Sequence, residues 1–233
     1  MEIDVLGSSS SGNAIRISDG STSLLLDAGL PIKKIKEGLH FRTSALDGVL
    51  VTHEHQDHAK AVGDLIKMGL PVYASAGTFE ALEKAQGNCI KALHPFAIGT
   101  FTVLPFPVIH DAVEPLGFVI RSSVTGEKLL YVTDTMYVPY NFTNLTHIMI
   151  ECNYQPDILW ENVRTGQVLK KVANRVVDTH MSLKTTLAFL RENVSPSCKE
   201  VWLLHLSDQN SDEALMKEAV QKAIGLPVYV AEK

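Results

Sequence analysis

The chain has 233 residues, enough for one large α/β domain around a single core. Hydrophobic residues make up 45% and charged residues 20%, an ordinary globular composition that excludes large-scale disorder. The formal net charge of -5 excludes a global field that attracts polyanions, so any nucleic-acid contact has to come from a local patch. Cys89, Cys152 and Cys198 are odd in number and lack metal-like spacing, the usage of a reducing compartment. The opening MEIDVLGSSSSGN has no basic n-region and no apolar h-region. The longest apolar runs, such as Val103–Val108, are strand-sized and too short to cross a bilayer. A cytoplasmic protein without membrane contact is the expectation.

Taken in order, short β-rich runs predict strands at Ile3–Leu6, Ala14–Ile17, Ser23–Leu26 and Val49–Thr52. Ser8–Ser11 followed by Gly12-Asn13 marks a turn between the first two. It could be a plain tight turn or a loop offering N–H groups to a phosphate. Ala59–Met68 has helical spacing, with Val62, Leu65 and Ile66 on one side. A strand at Val72–Ala74 and a helix over Thr78–Ala85 follow. The second half repeats this grammar, with strands at Phe101–Leu104, Gly117–Arg121, Leu129–Val132 and His147–Glu151. Helices are expected near Val168–Val177 and Leu183–Glu192, then a strand at Val201–Leu204, a helix near Asp212–Ala223 and a strand at Val228–Val230. Two β-rich halves, each followed by helices, suggest two mixed sheets packed face to face with helices outside. That is an αββα sandwich in a single domain spanning 1–233.

The chemistry concentrates in Val49-Leu50-Val51-Thr52-His53-Glu54-His55-Gln56-Asp57-His58. An apolar strand ends, and four potential ligands follow within six residues. Alternation along an extended loop puts His53 and His55 on one side, with Asp57 and His58 at the start of a helix. Imidazole nitrogen and carboxylate oxygen are the donors zinc-like ions favour, and hydrolytic sites keep a position for water. The competing reading, a polar surface loop, does not explain histidines clustered behind a buried strand.

This pattern resembles the metallo-β-lactamase superfamily, and the resemblance runs through essentially the whole chain. It implies the αββα fold and two divalent ions, zinc or manganese. Asp27 in Leu-Leu-Leu-Asp27-Ala-Gly29 matches the motif whose carboxylate orients a ligand histidine. His110 in Phe-Pro-Val-Ile-His110-Asp111 would complete the histidine set of the ion held by His53 and His55. Asp134 in Tyr-Val-Thr-Asp134-Thr135 matches the carboxylate that bridges both ions. His205 in Trp-Leu-Leu-His205-Leu-Ser207 would join Asp57 and His58 on the second ion. Taken singly, His110 or His205 reads as a structural histidine and Asp134 as a turn residue. His40, His94 and His147 match nothing and are expected to be structural.

Asp134 argues against true β-lactamases, though the glyoxalase II and lactonase branches keep it. His180 in Val-Asp-Thr-His180-Met-Ser182 lies 25 residues before His205. It resembles the non-ligand histidine of the ribonuclease Z and β-CASP side, which acts on the leaving group or scissile phosphate. Alternatively His180 only caps the helix starting near Ser182. A narrower resemblance is to the YycJ/WalJ-type metal-dependent DNA exonucleases. It rests on Gly7–Ala14, His110-Asp111-Ala112-Val113-Glu114-Pro115, Thr133-Asp134-Thr135, Glu151-Cys152-Asn153 and His205-Leu206-Ser207 with Asn210. Tyr154 departs from the polar or histidine-like residue expected after Asn153.

The implied reaction is hydrolysis of a phosphodiester, in which paired cations acidify water and clamp the oxygens of an in-line displacement. Asp57 is placed to accept the nucleophile's proton, and His180 to neutralise or protonate the leaving alkoxide. Between Asn162 and Val177 stand Arg164, Lys170, Lys171 and Arg175 with no acidic residue. With Asn153 they are the candidate substrate contacts, although a solvated basic helix face reads the same way. The partner is a nucleic acid or a small phosphodiester, and a homodimer stays open. The competing functions are a cyclic-nucleotide phosphodiesterase and an ester or thioester hydrolase of the glyoxalase II/lactonase type. A third is a scaffold that keeps the fold without catalysis.

Overall fold

The computed structural model of the chain describes residues 1–83 and 87–232. Its strands fall into two mixed β-sheets, of six and seven strands. The chain divides into two compact units that interleave in sequence. The first comprises 1–107, 112–127 and 232–233, and the second 108–111 and 128–231.

In the first unit, β1 (Glu2–Ser9) and β2 (Gly12–Ser18) form an antiparallel hairpin whose register shifts between Val5 and Gly7. The serines and Gly12-Asn13 make its turn, as expected. β3 (Ser23–Leu26) pairs antiparallel with β2 and parallel with β4 (Gly48–Leu50), followed by β5 (Val72–Ser75) and β6 (Asn88–Ile90). A sheet covered on both faces needs near-continuous apolar strands, and every residue of β3 and β4 is buried. Leu25, Val49, Val51, Val62, Leu65 and Val72 share one core. Each such side chain contributes roughly 1.5–3 kcal/mol when fully buried. A second ladder joins β7 (Phe96–Ile98), β8 (Phe101–Pro107) and β9 (Leu116–Ser122), all antiparallel. Asp19, after β2, reaches this ladder: one carboxylate oxygen accepts the hydroxyls of Thr100 and Ser122, both at 2.6 Å. The other accepts the N–H groups of Ser21 and Thr22.

The helix expected over Ala59–Met68 is broken in two. α2 covers Gln56–Ala59 and α3 Val62–Lys67, after the short α1 (Ile32–Gly38) that periodicity did not flag. The break has a tertiary cause. Ala28 N–H donates to the His58 carbonyl, and Ala61 N–H donates to the Ala28 carbonyl, both at 2.8 Å. The backbone after Asp27 thus inserts where helical bonds would have continued. Gly29 permits this approach, because a Cβ there would meet the Asp57 carbonyl oxygen at 1.7 Å. The helix expected over Thr78–Ala85 is α4, Ala76–Ala81, capped by Ser75. Its expected tail at Ala85 lies outside the described residues.

The second unit holds four parallel strands, β10 (Lys128–Val132), β11 (His147–Glu151), β12 (Glu200–Leu204) and β13 (Val228–Val230). Three helices were expected in it, and among the described residues four are present. α5 (Pro156–Arg164) was unforeseen, though Pro156 in its first turn is a start signal. α6 (Lys170–Thr179), α7 (Leu183–Asn193) and α8 (Glu213–Ile224) match expectation within a few residues. Tyr154 is buried against Leu159, Val168 and Ala173, which explains an aromatic residue where a polar one was expected. Among the described residues no helix is long and apolar enough to cross a membrane.

Candidate metal centre

In the first unit the ligand loop leaves β4 with its imidazoles already oriented. Asp27 follows β3 in the left-handed region, at φ 59°, and is wholly buried. One oxygen accepts the N–H and hydroxyl of Thr52, at 2.8 and 2.9 Å. The other accepts His58 Nδ1–H at 2.9 Å. With its proton given to Asp27, the Thr52 hydroxyl accepts from His53 Nδ1–H at 3.0 Å. Asp27 therefore orients two histidines, one directly and one through Thr52. The rings of His53 and His55 stand 4.7 Å apart, and those of His53 and His58 4.2 Å. Asp57 Oδ2 lies 3.5 Å from His58 Nε2. Asn13, in the serine turn, steadies the same place, its amide nitrogen 3.2 Å from the Asp57 carbonyl and 3.1 Å from His58 Nε2. The turn's link to the ligand loop thus runs through a side chain.

In the second unit the candidates come from separate elements. Asp134 stands two residues after β10 at φ 24°, and His205 directly after β12 at φ 54°. Their facing atoms are 3.8 Å apart, and Asp134 lies 3.5 Å from His110 Nε2. His110 Nδ1–H donates to the Thr179 carbonyl at the end of α6, at 3.0 Å. Burial lowers the pKa of His110 despite the attraction of Asp134, favouring the neutral form that ligates metal.

His180 does not cap α7, because Ser182 accepts the Thr185 N–H there. Its Nδ1 instead meets Glu151 Oε1 at 2.5 Å. Glu151 is completely buried, and its Oε2 accepts the N–H groups of Thr135 and Met181. Burial works against charge on His180, but the Glu151 carboxylate outweighs it and raises the pKa from 6.5 to about 9. The ring stacks on His205 with centroids 5.5 Å apart. Asp134, Glu151, His180 and His205 present donor atoms within 4.8 Å of one another. Since both Glu151 oxygens are already hydrogen-bonded, this residue orients His180 and the adjacent loop. The sequence offered Glu151 as a support for the metal site, a substrate contact or a solvated strand-end acid; the sharper signal is a lone acid ending the apolar run Ile148–Ile150.

Asn153, expected at the substrate, is buried with its amide nitrogen 2.9 Å from the His205 carbonyl and 3.1 Å from its Nδ1. It steadies His205. Lys170 and Lys171 are exposed on α6, whereas Arg164 pairs with Glu161 and Arg175 with Asp111 at 2.7 Å. His147 is buried against Thr146, and His40 and His94 are exposed. The donor chemistry fits divalent metal. In His53, His58 and His110 the Nδ1–H is given to oxygen, which makes Nε2 the acceptor nitrogen, taken in His58 by the Asn13 amide; carboxylate, hydroxyl and carbonyl partners impose this tautomer on ligand histidines.

A family model described as a β-lactamase superfamily domain matches residues 22–205. The chain belongs to this superfamily: it is a hydrolase with the metallo-β-lactamase αββα fold and His/Asp clusters suited to metal. It is 28% identical to exodeoxyribonuclease YycJ of Bacillus anthracis, over 96% of this chain and 89% of that one. It is 29% identical to exodeoxyribonuclease WalJ of Streptococcus pneumoniae, over 91% of this chain and 83% of that one. The crystal structure of the metallo-β-lactamase fold protein YhfI from Bacillus subtilis superposes with a TM-score of 0.76 at 19% identity, over 99% and 95% of the two chains.

Proposed function

We propose that the protein is a cytoplasmic, metal-dependent phosphodiesterase that acts as a DNA exonuclease, working as one domain. The observation that carries this reading is His180, held on the buried Glu151 beside Asp134 and His205. A thioester releases a thiolate, which departs more readily than a nucleoside alkoxide and needs no cationic acid at this place. In this reading His53, His55 and His110 would hold one ion, Asp57, His58 and His205 the other, and Asp134 would supply a further carboxylate ligand. The order of these residues along the chain supports it, as do the imidazoles presenting Nε2. Zinc or manganese bound there would acidify water and neutralise phosphate oxygens.

The remaining work falls to the chain. Asp27 and Thr52 keep the ligand imidazoles in one tautomer. Asp57 accepts the proton of the attacking water. His180, as imidazolium, neutralises the leaving oxygen and passes it a proton, while Glu151 keeps the ring aimed and charged. Lys170, Lys171 and Arg175 meet the backbone of a polynucleotide. The relatives named as exodeoxyribonucleases support DNA as substrate.

The test is a substrate panel with manganese- or zinc-loaded protein, scored beside elemental analysis. Single- and double-stranded DNA, RNA, cyclic nucleotides and a lactonyl thioester are compared. Release of mononucleotides from a DNA end, with roughly two ions per chain, is the expected result. Turnover of the thioester alone would remove the nuclease reading.

A further inference from the structure

Two exposed apolar side chains flank ligand candidates in the second unit. Ile109, 36% exposed, immediately precedes His110, and Tyr137, 43% exposed, follows Asp134 by three residues. Their loops are stitched together. Ile109 N–H donates to Thr135 Oγ1 at 3.0 Å, and Met136 N–H donates to the Ile109 carbonyl at 2.9 Å. The Thr135 hydroxyl passes its own proton to the Tyr137 carbonyl at 2.9 Å. Thr135 N–H is anchored on Glu151, the same carboxylate that holds His180. The backbone that carries Ile109 and Tyr137 is therefore tied into the network that aims His180. On the other side of His110, Asp111 binds Arg175, the last of the three cations on α6.

Apolar surface, ligand set and cationic helix thus follow one another across a few residues. A strand of nucleic acid has the complementary order: an apolar base face beside an anionic backbone. Three residues of chain span at most about 10 Å, so Tyr137 stays within reach of a base next to a phosphate at Asp134.

Resting on the phosphodiesterase reading, we propose that Tyr137 is the stacking platform for an unpaired base beside the scissile phosphate. The site accordingly takes a single-stranded polynucleotide end. Stacking uses the ring face and no sequence-reading hydrogen bond, so the preference is for an unpaired base of any identity.

The experiment compares single-stranded DNA with the same strand carrying an abasic site next to the scissile phosphate, using manganese-loaded protein. Tyr137→Ala should raise KM on the ordinary strand about tenfold while kcat changes little. The abasic strand should show that same weakness with wild-type protein and no further loss with the variant. Tyr137→Trp, which keeps a ring face, should restore the response to the base. Metal content and melting temperature of Tyr137→Ala should match wild type, separating stacking from folding. A wild-type KM in Tyr137→Ala, or an abasic penalty that persists undiminished in it, would overturn this assignment and leave the nuclease reading intact. Failure of the wild-type protein to cut any polynucleotide would overturn both.

Discussion

The two regions that carry the candidate ligands are built by opposite means. In the first unit, His53, His55, Asp57 and His58 lie within six consecutive residues, braced from below by Asp27 and Thr52. In the second, Asp134, His180 and His205 come from three separate elements, and the centre of organisation is the buried carboxylate of Glu151. A contiguous loop needs a brace only for ring orientation, because covalent connection already fixes its donors near one another. A dispersed set needs a hub, and a buried carboxylate serves because it can accept several hydrogen bonds at once. The division suggests different failures: damage to the loop loosens metal, whereas damage around the hub slows turnover with metal in place.

The largest effect tests the hub. His180→Ala should keep metal content while turnover on DNA falls roughly 10²–10⁴-fold, the range for losing a general acid. The loss should shrink for a p-nitrophenolate leaving group, which departs without a proton. Loss of metal instead would make His180 a ligand and erase the contrast. The same pair sets a pH signature. Because the folded-state pKa is raised, its stabilisation is complete below 6.5 and is lost as pH rises through about 9. The melting-temperature gap between wild type and His180→Ala should close across that window.

A smaller effect tests the brace. Asp27→Asn keeps size but weakens the pull on His58 and, through Thr52, on His53. Metal affinity should drop about 10–100-fold, measured by competition with a chelator, and saturating metal should recover most of the turnover. A turnover defect that metal cannot rescue would show that the loop does more than hold ions.

The smallest effect supplies the background. Asp19→Asn lies outside both ligand sets and should leave metal affinity and turnover unchanged. It should cost about 1 kcal/mol after solvent screening, or about 2–4 °C in melting temperature. Burial opposes ionisation of Asp19, but the Ser122 and Thr100 hydroxyls and two backbone N–H groups lower its pKa from 3.8 to about 2. Its stabilisation is therefore present above 3.8 and lost as pH falls through about 2. A gap that persists in stronger acid would remove the carboxylate as its cause.

The same contrast governs what could be read from the sequence. The contiguous loop was legible because six neighbouring letters carry its chemistry. His110, Asp134 and His205 were legible only through their order, since each alone resembles a structural residue. Asn153 was read as a substrate contact and not as the support of His205, and Glu151 was not seen as a hub, because such roles are defined by partners far along the chain. The strands His147–Glu151 and Val228–Val230 were delimited closely, the first as a wholly buried parallel strand written in an apolar run, the second as a short β-prone run at the sheet edge. The break between α2 and α3 was invisible, because it depends on the backbone of Ala28.

Asp27, Asp134 and His205 share a backbone habit: each leaves its strand with positive φ, at 59°, 24° and 54°. For a residue other than glycine that posture costs roughly 1–3 kcal/mol and persists only where surroundings enforce it. Descendants that abandon hydrolysis while keeping the architecture are released from that enforcement. Glycine adopts positive φ without strain, so drift should favour it at these three corners first. In a line of sequences, glycine at positions 27, 134 and 205 would therefore mark lapsed enzymes, even where the histidine loop still reads as intact.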